Sequence, residues 1–174
     1  MSAEDEDVFL NDVWTHYFHD PNNTEWTNAS YLPLNDISTV RDTWSTMSAT
    51  SDKLTAGMFF IMRADTFPCW DDKSNINGGC ISMKVLKENL NEFWEKLCIG
   101  LMGETLLLPE FRNNWNVVNG ISTSPKRYFS VVKIWLKTTE YQNKRCFTLP
   151  GKYYGDVIYR DSKDMIQKNN EVMV

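Results

Sequence analysis

The chain has 174 residues, with 18 Lys and Arg against 23 Asp and Glu, for a formal net charge of −5. That length fits one domain with a sizeable buried core, and 42% hydrophobic with 24% charged residues excludes a linker-like or fibrous chain. The acidity argues against wrapping duplex DNA, which demands a broad basic face, and leaves Trp 7, Tyr 7 and Phe 9 as the feature that composition does not explain.

The first residues, Met1 to Asp7, have neither the basic nor the apolar stretch of a signal peptide. No apolar run approaches the ~20 residues of a membrane span. Glu4, Asp5, Glu6 and Asp7 mark residues 1–10 as an acidic, disordered tail, and residues 11–174 as a single domain. Phe9 to His19, with Val13, Trp14, Tyr17 and Phe18, reads as a first strand, closed by a turn at Pro21-Asn22-Asn23. Trp26 falls in a polar loop. Thr39 with Asp42 forms a capping box, and Val40, Trp44 and Met47 recur at helical spacing, which predicts a helix over about 39–48. Met58 to Met62 reads as a buried strand, and Phe67 to Gly79 as a polar loop. Ile81, Met83 and Val85 alternate as a strand does.

Glu88 to Glu104 carries the strongest helical pattern, with Leu90, Phe93, Trp94, Leu97 and Leu101 in one stripe. Asn116 to Thr123 and Tyr128 to Lys137 read as two strands, and Tyr154 to Tyr159 as a last one. Asp161 to Asn170 reads as a polar tail. Strands with two inserted helices and no βαβ alternation predict an α+β fold. Cys69, Cys80, Cys98 and Cys146 have no CxxC spacing, and only His16 and His19 add imidazoles, so no metal site is expected. Reduced thiols and a cytoplasmic location follow from the lack of a secretory signal. In that setting the glycosylation sequons at Asn22 and Asn28 are accidental.

Trp26, Trp70 and Trp115 lie in loops. A single loop tryptophan is more often a cover on the core than a platform, but two of them can hold a flat ligand between their faces. Stacking contributes roughly 1–3 kcal/mol per base, and a cationic ring adds up to ~2 kcal/mol when desolvated.

Pro68-Cys69-Trp70-Asp71-Asp72-Lys73, with Asn75 and Gly78-Gly79, resembles the Trp-Glu-Asp…Asn…Gly-Gly segment of the eukaryotic translation initiation factor 4E family, the mRNA cap-binding subunit. Ser38 to Trp44, Phe93-Trp94 with Gly103-Glu104, Val117-Val118-Asn119 and Ile134-Trp135 resemble further family motifs in the same order, from Trp14 to about Tyr159. The resemblance implies a curved, mostly antiparallel sheet with helices on its convex face and a cap-binding slot on its concave side. It implies that 7-methylguanine stacks between Trp26 and Trp70. Asp71 would accept the guanine N1–H and N2–H₂, the Trp70 backbone N–H would donate to O6, and Trp135 would lie against the methyl group. Adenine lacks that donor pair and would leave the carboxylate unpaired. The ligand is the capped RNA end; no cofactor, membrane or duplex DNA enters.

Several positions depart from the family pattern. Asp71 stands where Glu is usual, one methylene shorter. The two cap-triphosphate arginines are matched by Cys80 and Ile121, and Lys126, Arg127 and Lys133 are the candidate replacements; as ordinary surface cations they would need no ligand. On the convex face, which in the family holds a Tyr-x₄-Leu-hydrophobic helix of the scaffold subunit or of repressors, Val40 and Trp44 match, although core packing would also explain Trp44. There Glu95 and Lys96 replace Leu and Glu, which points to a non-standard partner. The family's His-Pro before its first Trp is absent. The stretch from Thr139 to Tyr154 is short for the family's third helix, and the phosphorylated Ser is matched by Ile166. Such divergence fits an unusual eukaryote or a large DNA virus. Three functions remain open at this point: recruitment of capped mRNA, a cap-binding repressor or storage factor, and a carbohydrate-binding module with aromatic platforms. Adjacent carboxylates such as Asp71 and Asp72 cannot flank a scissile bond, so no enzyme is expected.

Overall fold

Side-chain alternation along the strands builds two different surfaces on one sheet. The computed structural model describes residues 7–172, so most of the acidic segment, residues 1–6, lies outside the described residues. Seven strands run β1 (Phe9–His19), β2 (Leu32–Thr39), β3 (Met58–Arg63), β4 (Gly79–Leu86), β5 (Val118–Pro125), β6 (Phe129–Leu136) and β7 (Tyr154–Asp161). They form a single curved sheet in the order β2-β1-β3-β5-β6-β4-β7, with every neighbouring pair antiparallel.

One face carries Trp14, Phe59, Ile61, Ile81, Met83, Val85, Ile121, Val132, Ile134 and Leu136 into the main core, where α2 (Leu90–Met102) adds Leu90, Phe93, Trp94, Leu97 and Leu101. The other face carries a smaller aromatic cluster of Tyr31, Phe60, Met62, Cys80 and Trp135. A two-residue side-chain period is what sends Ile134 to one face and Trp135 to the other.

Helix α1 (Val40–Thr50) starts at the expected capping box: Asp42 N–H donates to Thr39 Oγ1 and Thr39 N–H to the Asp42 carboxylate. Its apolar stripe is split between core and surface, against the core-packing alternative for Trp44. Met47 is buried, but Val40 and Trp44 are exposed, at 39% and 53%. Thr43, Thr46 and Thr50 turn inward instead. The hydroxyls of Thr43 and Thr50 donate to carbonyls one turn back, which removes the cost of burying them.

Two elements escape the sequence reading. Strand β2 was not anticipated, because its exposed edge reads Leu-Pro-Leu-Asn-Asp with no clean alternation. The expected polar tail after Asp161 is α3 (Ser162–Val172), packed on β7 and β4. The overlooked signal is Asp161, whose carboxylate accepts the N–H of Lys163 and of Asp164 as a helix cap does. Between Thr139 and Tyr153 the only helical turn among the described residues is a 3₁₀ segment, Lys144–Cys146.

His16 is buried on the helix side of β1, stacked on Phe59, with Nδ1 against Asn35 Oδ1. Burial outweighs that hydrogen bond and pushes the imidazole down to about 4 from 6.5. Unfolding therefore takes up a proton between those two values, and stability falls as pH drops through the window. The loss is on the order of 3 kcal/mol in total. A His16→Gln variant, compared with the parent by urea midpoints from pH 7 to 4, is expected to lose that acid limb.

Candidate functional site

The loop between β3 and β4 is held by a set of hydrogen bonds in addition to the packing of Phe67 and Trp70 on the concave aromatic cluster. Asn75 is fully buried and donates to the carbonyls of Phe67 and Cys69 at 3.0 and 2.9 Å. Asn119 of β5 donates to Asn75 Oδ1 at 2.9 Å and to the Ser74 carbonyl at 2.7 Å. Asp72 accepts the N–H of Phe67 and of Ser74. Gly78 and Gly79 end the loop where a Cβ would collide with the Leu136 and Arg160 carbonyls. Asp72 is thus a loop fastener, while Asp71 points outward, exposed.

Trp70 and Trp135 meet on the concave face at 4.7 Å between ring centroids and 40° between planes. Trp135 is buried, and its indole N–H donates to Ser122 Oγ at 2.9 Å. Trp26 is 54% exposed and lies flat on buried His19, at 4.1 Å and 10°. The expected sandwich pair therefore rests on separate partners. Tyr31 joins the two halves, with Trp26 at 6.1 Å, Phe67 at 5.1 Å and Phe60 at 5.5 Å. Burial pushes the Tyr31 phenol up, and the charges of Cys69 and Asp71 add to it. The Cys69 thiol is pushed up to about 12, by burial first and then by Asp71 beside it.

The cations divide. Lys133 Nζ stands over the Trp70 ring at 4.9 Å and the Trp135 ring at 5.8 Å. Dehydration there lowers its pKa, Cys80 opposes that shift, and Lys126 and Arg160 add to the lowering. Lys126 and Arg127 are exposed at the turn between β5 and β6, where the Lys126 N–H donates to the Phe129 carbonyl and Arg127 lies over Tyr128 at 5.0 Å. Arg160 was missed by the sequence reading. It is the β7 ladder partner of Cys80, which in turn pairs with Trp135, so a guanidinium stands one strand away from the position where the family motif has an arginine and this chain has Cys80. Ile121 faces the opposite core, fully buried, and has no access to this face.

On the convex side, Trp44, Met47, Leu54, Trp94 and Glu95 line a groove of about 230 Å³ between α1 and α2. Lys96 is paired with Glu92 one turn earlier at 2.7 Å. Trp115, grouped in the sequence with the loop tryptophans, is a core residue, 7% exposed. Its carbonyl accepts from Arg63, which also bonds the Val118 carbonyl, pairs with Asp12 and covers Trp14. No cluster of three metal-ligating side chains occurs among the described residues, and none of their helices is long and apolar enough to cross a membrane.

The fold and the site together define an α+β protein of one curved antiparallel sheet, whose concave face carries an aromatic cluster with Lys133 against it. Residues 9–167 match the family model described as eukaryotic initiation factor 4E. A Xenopus laevis eukaryotic translation initiation factor 4E is 24% identical over 164 residues, 90% of this chain and 74% of that protein. Its Eremothecium gossypii counterpart is 23% identical, and the match spans 62% of that protein's length. Among solved structures, C. elegans eIF4E-3 in complex with the 4E-binding protein Mextli and a cap analog superposes with a TM-score of 0.76 at 16% identity, over 92% of this chain and 96% of that one. Schistosome eIF4E complexed with m7GpppG and 4E-BP gives 0.68 at 21%, over 80% and 77%. The chain belongs to the eukaryotic initiation factor 4E family.

The Asn75–Asn119 clamp is open to a direct test. Asn75→Ala leaves the Phe67 and Cys69 carbonyls and the Asn119 amide short of partners. It is expected to cost about 3 kcal/mol, since each stranded buried group costs about 1–3. Chemical denaturation of parent and variant measures the difference.

Proposed function

We propose that this protein binds the 7-methylguanosine cap of mRNA and recruits capped messages for translation initiation in the cytoplasm. The observation that carries the reading is the concave-face constellation of Trp70, Trp135 and exposed Asp71, with Trp26 joined to it through Tyr31. The base enters between Trp26 and Trp70 as Trp70 lifts from Trp135. Methylation at N7 makes the ring cationic, which strengthens its attraction to both indole faces. Asp71 takes the N1–H and N2–H₂ edge. Lys126, Lys133 and Arg160 supply charge for the triphosphate, with Arg127 further out on the turn. Binding changes no covalent bond in the RNA.

The test is retention on immobilised 7-methyl-GTP, released by the methylated but not by the unmethylated nucleotide. Trp26→Ala and Trp70→Ala are each expected to abolish retention, since each removes one stacking face. Retention of both variants at parental levels refutes the assignment. Arg160→Ala is expected to weaken 7-methyl-GTP binding about threefold and to flatten its salt dependence, as loss of a phosphate contact does.

The convex groove supports a second reading, in which the protein holds the cap without engaging the usual scaffold subunit. Exposed Val40 and Trp44 suit an apolar helix, but Glu95 lines the same groove, and a leucine buried against it would strand its charge. Calorimetry is expected to show weak binding of a Tyr-x₄-Leu-hydrophobic peptide to the parent, and at least tenfold tighter binding to the double variant Glu95→Leu with Lys96→Glu. Tight binding to the parent contradicts this.

A further inference from the structure

Lys133 sits in an unusual place for a surface-strand lysine. Its ammonium lies against both indoles, at 4.9 and 5.8 Å from the Trp70 and Trp135 centroids. That is cation–π range, and it is the same interaction that a cationic base would make with Trp70. We propose that Lys133 is an internal stand-in for the ligand, which covers Trp70 in the empty protein and must leave as the base enters, so that tight binding requires a ligand carrying phosphates. This inference rests on the cap-binding reading.

The groups that act on the Lys133 charge are Cys80, Lys126 and Arg160. Two of them are like charges, and Cys80 is buried with its thiol pushed up to about 12, hence neutral. Lys133 is therefore held on the indoles by its cation–π contacts, without a carboxylate among those groups. A ligand that stacks on the Trp70 face covered by Lys133 must displace it, and displacement leaves the ammonium to the like charges of Lys126 and Arg160. A bare nucleoside offers that ammonium nothing in exchange. A triphosphate placed among the three cations removes their mutual repulsion and gives Lys133 a new partner. The same lysine thus opposes binding of the base alone and favours binding of base with phosphate. Its position on β6, two residues before Trp135 and on the same face, serves both contacts.

The test compares 7-methylguanosine with 7-methyl-GTP on the parent and on Lys133→Met, which keeps an unbranched apolar chain and loses the charge. The variant is expected to bind the nucleoside about fivefold tighter and the triphosphate about threefold weaker, measured by tryptophan quenching. A phosphate contact with no plug role leaves nucleoside affinity unchanged, and a purely structural role weakens both; either result overturns the proposal. A second readout uses the parent alone. The Lys133 side-chain methylenes are expected to show upfield ring-current shifts in the ligand-free NMR spectrum and to lose them when 7-methyl-GTP saturates the site. Absence of the shift from the free protein, or its persistence in the complex, overturns the proposal. A parent that binds neither ligand refutes the cap reading itself, and the free-protein spectrum then judges the Lys133 placement separately.

Discussion

The hydrogen bond from Asn119 to Asn75 holds the site to the fold. Asn75 spends its own amide on two carbonyls of the loop that bears Trp70, and Asn119 is anchored in the central strand β5. Both residues are buried, so water cannot substitute cheaply for either partner. With the loop fastened to β5 in this way, and Phe67 packed on the concave cluster, Trp70 is delivered to the concave face beside Trp135 of the neighbouring strand. The glycines at the loop's end act in the same sense, since side chains there would push it off β6 and β7. With the backbone so fixed, the contact between Trp70 and Trp135 follows from strand parity.

Much of this was legible in the sequence, and the exceptions have physical causes. The segments of β1, β3, β4, β5, β6 and β7 all read as strands, β4 by alternation and β3 as a short apolar run, and helical spacing located α2. Helix α1 was placed by its capping box, but the residues of its inner face were not singled out. Threonines can face a core when their hydroxyls bond back along the helix, and hydrophobic periodicity does not register them. Trp44, read either as a partner-face residue or as core, is exposed. Helix α3 has little apolar pattern to find. Trp115 looked like a surface residue because its neighbours Asn113 and Asn114 are polar, yet a 3₁₀ turn rotates it inward. Trp70 and Trp135, singled out by the motifs, meet on the concave face, and Asp71 is exposed on the loop beside Trp70. Arg160 lay beyond sequence reasoning, because its relevance comes from pairing with Cys80 across a ladder, and register is not written in either strand alone.

The two faces of the sheet also divide the physics of the molecule. The convex side is stabilised by area: α2 and the strands bury a continuous apolar stripe. The concave side is built from aromatic rings and cations, and it is less settled energetically. Trp26 is exposed, His19 beneath it has no hydrogen-bond partner for either ring nitrogen among the described residues, and Lys133 is dehydrated against two indoles. Such groups are retained where a ligand improves their situation. The net charge of −5 does not count against the proposed reading: it describes the whole surface, whereas Lys126 and Arg160 are near enough to Lys133 to act on its charge.

The most direct measurement is the ratio of affinities for 7-methyl-GTP and GTP by calorimetry on the intact chain. The two ligands share base edge, sugar and phosphates and differ in the ring's methyl group and positive charge. Stacking on indoles with cation–π attraction worth about 2 kcal/mol in a desolvated site predicts a preference of about thirtyfold for the methylated nucleotide. Equal affinities would contradict the account, because every contact except the cationic stack would then suffice.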